Sequence, residues 1–164
     1  MPSLDAMHRL AAATGHDLSI RLFPGGGVLL RDSGQLAVAD QIRAATHASW
    51  RIRLEMPVGV PPDRRAVDMI LETAAERVVV EVERALLDFQ AQFRAAQLKR
   101  SVIAERSSRS VRLVMAVPDT RRNRAVIDTH RSMLEVALPT PSRKIWASLR
   151  SGTEVGGDGL LWVR

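Results

Sequence analysis

From residue 50 to 56 the apolar period is two, and two more strand-like runs follow before residue 84; this constrains the fold more than anything else in the chain. Trp50, Ile52, Leu54 and Met56 alternate with Arg51, Arg53 and Glu55 until Pro57 ends the run. That alternation belongs to a strand with one apolar and one polar face. Two further runs, 66–71 and 77–83, flank Ala74-Ala75 and predict a hairpin. The period then changes. Leu86, Phe89, Phe93 and Ala96 form the stripe of a helix over 84–100, and a fourth strand is predicted at 111–117.

A helix precedes the strands. Asp32 and Gln35 fit a capping box that opens a helix to about residue 47, with Leu36, Ala39, Ile42 and Thr46 on one face. The core order is therefore helix, strand, strand, strand, helix, strand. It predicts an α/β protein, a sheet with helices packed on it. Its 164 residues suit one domain over 1–164, with the core at about 31–137 and additions at 1–30 and 138–164. The additions comprise a helix over 4–13 stopped by Gly15, a strand at 17–23, and a break at Pro24-Gly25-Gly26-Gly27. No Gly-Lys-Ser/Thr follows that break, so a turn is expected there and not a phosphate loop. Asp119-Thr120 caps a predicted helix over 121–137, ahead of a short helix at 142–150 and a last strand at 160–163.

Cys is absent, which excludes disulfides, thiolate metal sites and Cys nucleophiles. The four His show no metal-ligand spacing, and Gly-x-Ser-x-Gly and Gly-x-Gly-x-x-Gly do not occur. No apolar run approaches a membrane span and no signal peptide opens the chain, so a cytoplasmic protein without membrane partners is expected. Charge is uneven. Residues 1–82 carry 9 basic and 10 acidic side chains, and residues 83–164 carry 15 and 8. The basic half suits either a phosphate backbone or a solvated Arg-rich surface. With no Tyr and only six Trp and Phe, nucleic acid would be held by its backbone and not by stacked bases.

One constellation carries chemistry. Glu81 and Glu83 share a strand face, and a symmetric turn at Ala74-Ala75 sets Asp68 opposite Glu81, Met69 opposite Val80 and Glu72 opposite Arg77. Opposed like charges are destabilising unless something offsets them. A divalent cation such as Mg²⁺ does so, as does an exposed face neutralised by Arg51, Arg53 or Arg77.

The strand order with Asp68 on the second strand and Glu81-Val82-Glu83 on the third resembles the restriction-endonuclease-like, PD-(D/E)xK, superfamily. The resemblance implies that Asp68 and Glu81 hold Mg²⁺ and that Glu83, in place of the usual Lys, acts as general base or orients water. Asp40 is the implied third metal ligand, ahead of Glu55, and Gln97 matches the polar helix residue of some nuclease branches. Lys99, Arg121, Arg122 and Arg124 are expected at DNA phosphates. The stretches 18–26, 80–84 and 119–124 further resemble the C-terminal domain of actinobacterial helix-turn-helix transcriptional regulators. Residues 1–15 are too short for a helix-turn-helix unit. A Mg²⁺-dependent DNA endonuclease is one expectation. The other is a non-catalytic effector- or partner-binding module, either a homodimer or bound to a separate helix-turn-helix protein.

Overall fold

The computed structural model describes residues 4–15, 33–59 and 65–164. The chain divides into two units, 1–30 and 31–164. In the first, α1 (Leu4–Ala13) ends where Thr14 and Gly15 turn back on its last carbonyls, Gly15 at φ 71°. An Asp5–Arg9 ion pair one turn apart braces its exposed surface. The strand expected at 17–23, the Pro24–Gly27 break and the Asp32 cap lie outside the described residues.

The second unit is a five-stranded mixed sheet flanked by helices. Its strands lie in chain order: β1 (Arg51–Pro57), β2 (Ala66–Glu72), β3 (Glu76–Val82), β4 (Ser110–Pro118) and β5 (Gly159–Val163). The first three form an antiparallel meander, and β4 and β5 add in parallel. Each parallel step needs a crossover. The first is α3 (Phe89–Glu105); the second runs through α4 (Arg121–Thr129), α5 (Arg131–Ala137) and α6 (Ser142–Ser151). With α2 (Ser33–Ala45), α6 covers one face of the sheet, where Ile42, Ile145 and Leu149 pack on Val78, Val80 and Val114. On the opposite face Phe89, Ala96, Ile103 and Leu134 pack on Val79, Leu113 and Met115. Valines at 78, 79 and 80 thus serve two cores at once, as a central strand requires.

From Met69 opposite Val80 to Glu72 opposite Arg77 the β2–β3 register is as the symmetric turn predicts, but the ladder ends there and the expected pairing of Asp68 with Glu81 is not formed. Thr73 closes the turn through its N–H to the Glu76 carbonyl and its hydroxyl oxygen to the Glu76 N–H. The alternation of β1 is broken, however. Ile52 packs with the α2-side core and Met56 with the α3-side core, although both sit at even positions. Glu55 between them has φ 51°, a left-handed conformation that reverses the facing of the next residue. Pairing with β2 skips Glu55 and Asp68, and on β2 the same fault puts Val67 in the α3-side core while Met69 is in the other.

Four boundaries and faces depart from expectation. The inward stripe of α2 is Val38, Ala39 and Ile42, and Leu36 is exposed because it stands about 100° round the helix from Gln35. α3 begins at Phe89, capped by Asp88, whose carboxylate accepts from the Ala91 N–H. The helix expected over 121–137 is two, divided at His130, which leaves helical geometry and lays its ring 5.3 Å from Phe89. Residues 138–164, expected at the periphery, supply buried Ile145, Leu149, Val155, Leu161 and Val163. Gly152 ends α6 at φ 74°, where a Cβ would strike Ser49 and His47.

Candidate active site

The fault in β2 gives Asp68 its role. The ladder with β3 stops at Met69 and Val80, and the Asp68 carboxylate takes over by accepting the Val82 N–H at 2.7 Å. At the next peptide the Val82 carbonyl accepts from the Gln35 side chain at 2.9 Å. The residue expected to complete a capping box therefore clamps the end of β3 to α2. Glu83 continues beyond the strand, its N–H donating to the Ala116 carbonyl.

Glu81 is buried on the face covered by α3, with Val79. Lys99 Nζ lies 2.7 Å from its Oε2, and its Oε1 is buried without a hydrogen-bond partner. Burial pushes the Glu81 carboxyl up to about 7; Asp68 and Glu83 reinforce the rise and Lys99 opposes it. Burial also raises the Glu83 carboxyl, whose Oε2 accepts from Gln92 at 2.6 Å. Gln92 donates as well to the Ala85 carbonyl, which fixes its amide between the loop and Glu83. The cluster is thus three carboxylates, from β2, β3 and the residue that follows β3, with an ammonium and an amide from α3.

The polar helix residues that reach the carboxylates are Gln92 and Lys99. Gln97, expected in that role, accepts from Arg100 Nε on its own helix. Asp40 is exposed and paired with Arg43 at 3.2 Å. Lys99, expected at DNA phosphates, is committed to Glu81. Arg53 and Arg77, expected to neutralise Asp68 and Glu81, pair with Glu72 four residues along β2. Arg121 and Arg122 are exposed on the first turn of α4. Arg124 makes a two-pronged pair with Asp119 and lies over the Trp162 ring, and that pairing holds the Asp119 carboxyl below the usual range.

The sequence had a signal for Lys99 and Gln92. Positions 89, 92, 96, 99 and 103 share one helix face, where Phe89, Ala96 and Ile103 are buried. Polar residues at 92 and 99 interrupt that stripe, and each meets a carboxylate. Buried Asn123 was not legible. Its carbonyl accepts from Leu86 N–H, and its amide donates to the Arg84 and Pro118 carbonyls.

The fit of a divalent cation turns on donors. Asp68 and Glu81 supply hard oxygens, and the orphaned Glu81 Oε1 is a buried acceptor without a donor. Two carboxylates suit Mg²⁺, which keeps several of its own waters. Among the described residues no three carboxylate or imidazole groups are placed to hold one metal ion, so Glu83 does not complete the set. No protein-family model, curated protein or solved structure matches the chain. Among the described residues no helix is long and apolar enough to cross a membrane.

Proposed function

We propose that residues 31–164 form a restriction-endonuclease-like, DNA-associated domain in which Asp68 and Glu81 hold Mg²⁺ for phosphodiester hydrolysis. The observation that carries this reading is Glu81: a buried carboxylate with one oxygen unpartnered, close to Asp68 and answered by a lysine. Perturbed carboxyl groups of this kind concentrate at reactive sites. Bound Mg²⁺ would polarise the scissile phosphate and acidify a water. Lys99 supplies from α3 the ammonium that Glu83 displaces from the strand. Glu83, with its carboxyl raised by burial and its orientation fixed by Gln92, is suited to take the proton of an attacking water. Arg121 and Arg122 are free to meet DNA phosphates.

The test combines calorimetric titration of Mg²⁺ and Mn²⁺ with nicking of supercoiled plasmid. Wild type should bind one or more cations and nick, whereas Asp68→Asn and Glu81→Gln should fold, bind cation at least about tenfold more weakly, and not nick. Nicking that survives both substitutions, or that needs no divalent cation, overturns the reading.

One observation favours the non-catalytic alternative, an effector- or partner-binding module of a helix-turn-helix regulator. Each carboxylate already has an internal partner: Val82 N–H for Asp68, Lys99 for Glu81 and Gln92 for Glu83. DNA affinity without cleavage, or a stable complex with a helix-turn-helix protein, would decide for it.

A further inference from the structure

Five arginines surround one cavity at the far end of the sheet. The recess is about 450 Å³ and lies between β1, the β2–β3 turn and the loop from α3 to β4. Arg51 and Arg53 enter from β1, Arg77 from β3, and Arg106 and Arg109 from the loop, around the single carboxylate of Glu72. Asp68 and Glu72 are four residues apart on β2, which separates the recess from the Asp68–Glu81 cluster by roughly 13 Å.

Glu72 is a buried template. It takes Arg77 at 2.5 Å, Arg53 at 3.2 Å and Arg109 at 3.5 Å. One negative charge holds three guanidinium groups whose other N–H donors are left over, since each group carries five. Arg53 Nε is buried with no hydrogen-bond partner. Arg51 and Arg106 have no ion-pair partner among the described residues. Five like charges would repel at this spacing, and one carboxylate leaves four uncompensated. The hydroxyl-bearing Ser49, Thr73, Ser107 and Ser108 complete a lining made almost wholly of donors.

We infer that this cavity binds a compact polyphosphate, two or more linked phosphate groups with a total charge of about −3 to −4. Guanidinium forks match phosphate oxygens two at a time, and a held Arg loses little freedom on binding. The recess has the volume of a small-molecule site. A duplex backbone instead spreads its charge along a line, one per ≈1.7 Å of axis, and would be met by a stripe and not by convergent groups. The source of the phosphates is either a free polyphosphate or a nucleoside polyphosphate, which share this chemistry.

The test is calorimetric titration of sodium pyrophosphate, tripolyphosphate and adenosine triphosphate, without divalent cation, at about 0.15 M salt. The three should bind at one site, and orthophosphate at least about tenfold more weakly. Arg51→Gln/Arg106→Gln, which leaves the Glu72 cluster whole, should keep the wild-type unfolding temperature and lose at least about tenfold in affinity. Adenosine triphosphate binding much tighter than tripolyphosphate identifies the nucleoside polyphosphate as the source; equal binding identifies the chain of phosphates alone. Glu81→Gln should bind as wild type, which keeps this result apart from the fate of the hydrolytic reading. Absence of tripolyphosphate binding up to about 1 mM, or equal affinity in the double variant, overturns the assignment. So does a DNA duplex that binds through Arg51 and Arg106 and that tripolyphosphate does not displace.

Discussion

Lys99 Nζ lies 2.7 Å from Glu81 Oε2, and this contact joins the middle of α3 to the end of β3 at the point where β2 loses its regular pairing. Both partners are largely withdrawn from water, Glu81 almost wholly. Removing solvent from two charges costs more than a surface pair returns, and the attraction between them offsets that cost only while both are present. The pair therefore acts as a conditional element. It is tolerable when intact, costly when broken, and adjustable by anything that protonates or binds Glu81.

Lys99→Met isolates the condition. At pH 8 it removes the charge that opposes the rise of the Glu81 carboxyl, which then takes up a proton instead of staying ionised beside Asp68 and Glu83, and should cost about 1–2 kcal/mol of stability. At pH 5 Glu81 is protonated in the folded protein and the same substitution should cost less than about 1 kcal/mol. Urea unfolding at both pH values measures the difference, and Lys99→Met/Glu81→Gln should recover most of the loss at pH 8. An equal cost at both pH values would mean that packing of the lysine stem, and not its charge, holds α3.

The wild-type stability profile carries the opposite sign to that of most carboxylates. Folding raises the Glu81 carboxyl from 4.5 to about 7, so the folded state binds more protons than the unfolded chain between those values. The contribution of Glu81 is then fully present below about pH 4.5 and lost as pH rises through about 7, a fall of at most about 3 kcal/mol. Glu83, raised by the same burial, adds to the fall. In chelator, unfolding free energy should decline from pH 5 to pH 8.5, and Glu81→Gln should flatten the decline. Under the metal-binding reading, Mg²⁺ added at pH 8 should restore stability, and the same titration at pH 6, where Glu81 is protonated, should release protons.

Strand alternation and the two-residue turn place Asp68 and Glu81 near one another, because a one-residue slip would have turned Val80 and Val82 onto the polar face. The same logic cannot foresee Glu55. A left-handed residue inside a strand breaks the period that the reading depends on, and no glycine marks the spot. Asp40 was misplaced for a related reason. Helical periodicity fixes which residues share a face but leaves the angle of that face to the sheet open, so position 35 and not position 40 reaches β3. Lys99 was visible as a charge but not as a partner, since its meaning depends on which strand its helix covers.

Asn123→Ala tests the tether between α4 and the loop that leads from Glu83 into α3. The Asn123 side chain is buried and makes three hydrogen bonds, to Leu86 N–H and to the Arg84 and Pro118 carbonyls. Truncation strands the buried Leu86 N–H and removes two further bonds, to the Arg84 and Pro118 carbonyls, at a cost of about 2–3 kcal/mol. Hydrogen exchange should show the larger opening at Leu86, whose N–H loses its acceptor, and cation affinity should fall with it if the loop positions Glu83. Protection at Leu86 that does not change would show that the amide was held by something else.

Glu76→Gln reads out the one buried carboxylate, among the described residues, with no part in either proposed site. Glu76 starts β3, and its two oxygens accept Val155 N–H at 2.7 Å, Gly156 N–H at 3.0 Å and Arg112 Nε at 3.2 Å. Those bonds dock the α6–β5 connection onto the sheet, so the segment that carries Val155 into the core depends on an acidic side chain. Glutamine keeps the shape but replaces one acceptor by an NH₂ group, which then faces a backbone donor. The expected loss is about 3 kcal/mol, or a fall of about 10 °C in Tm for a unit of this size. Arg112→Met removes one donor and leaves both backbone bonds intact, and should cost only about 1 kcal/mol. If Arg112→Met is as damaging as Glu76→Gln, the ion pair and not the pair of backbone bonds fastens this end of the sheet.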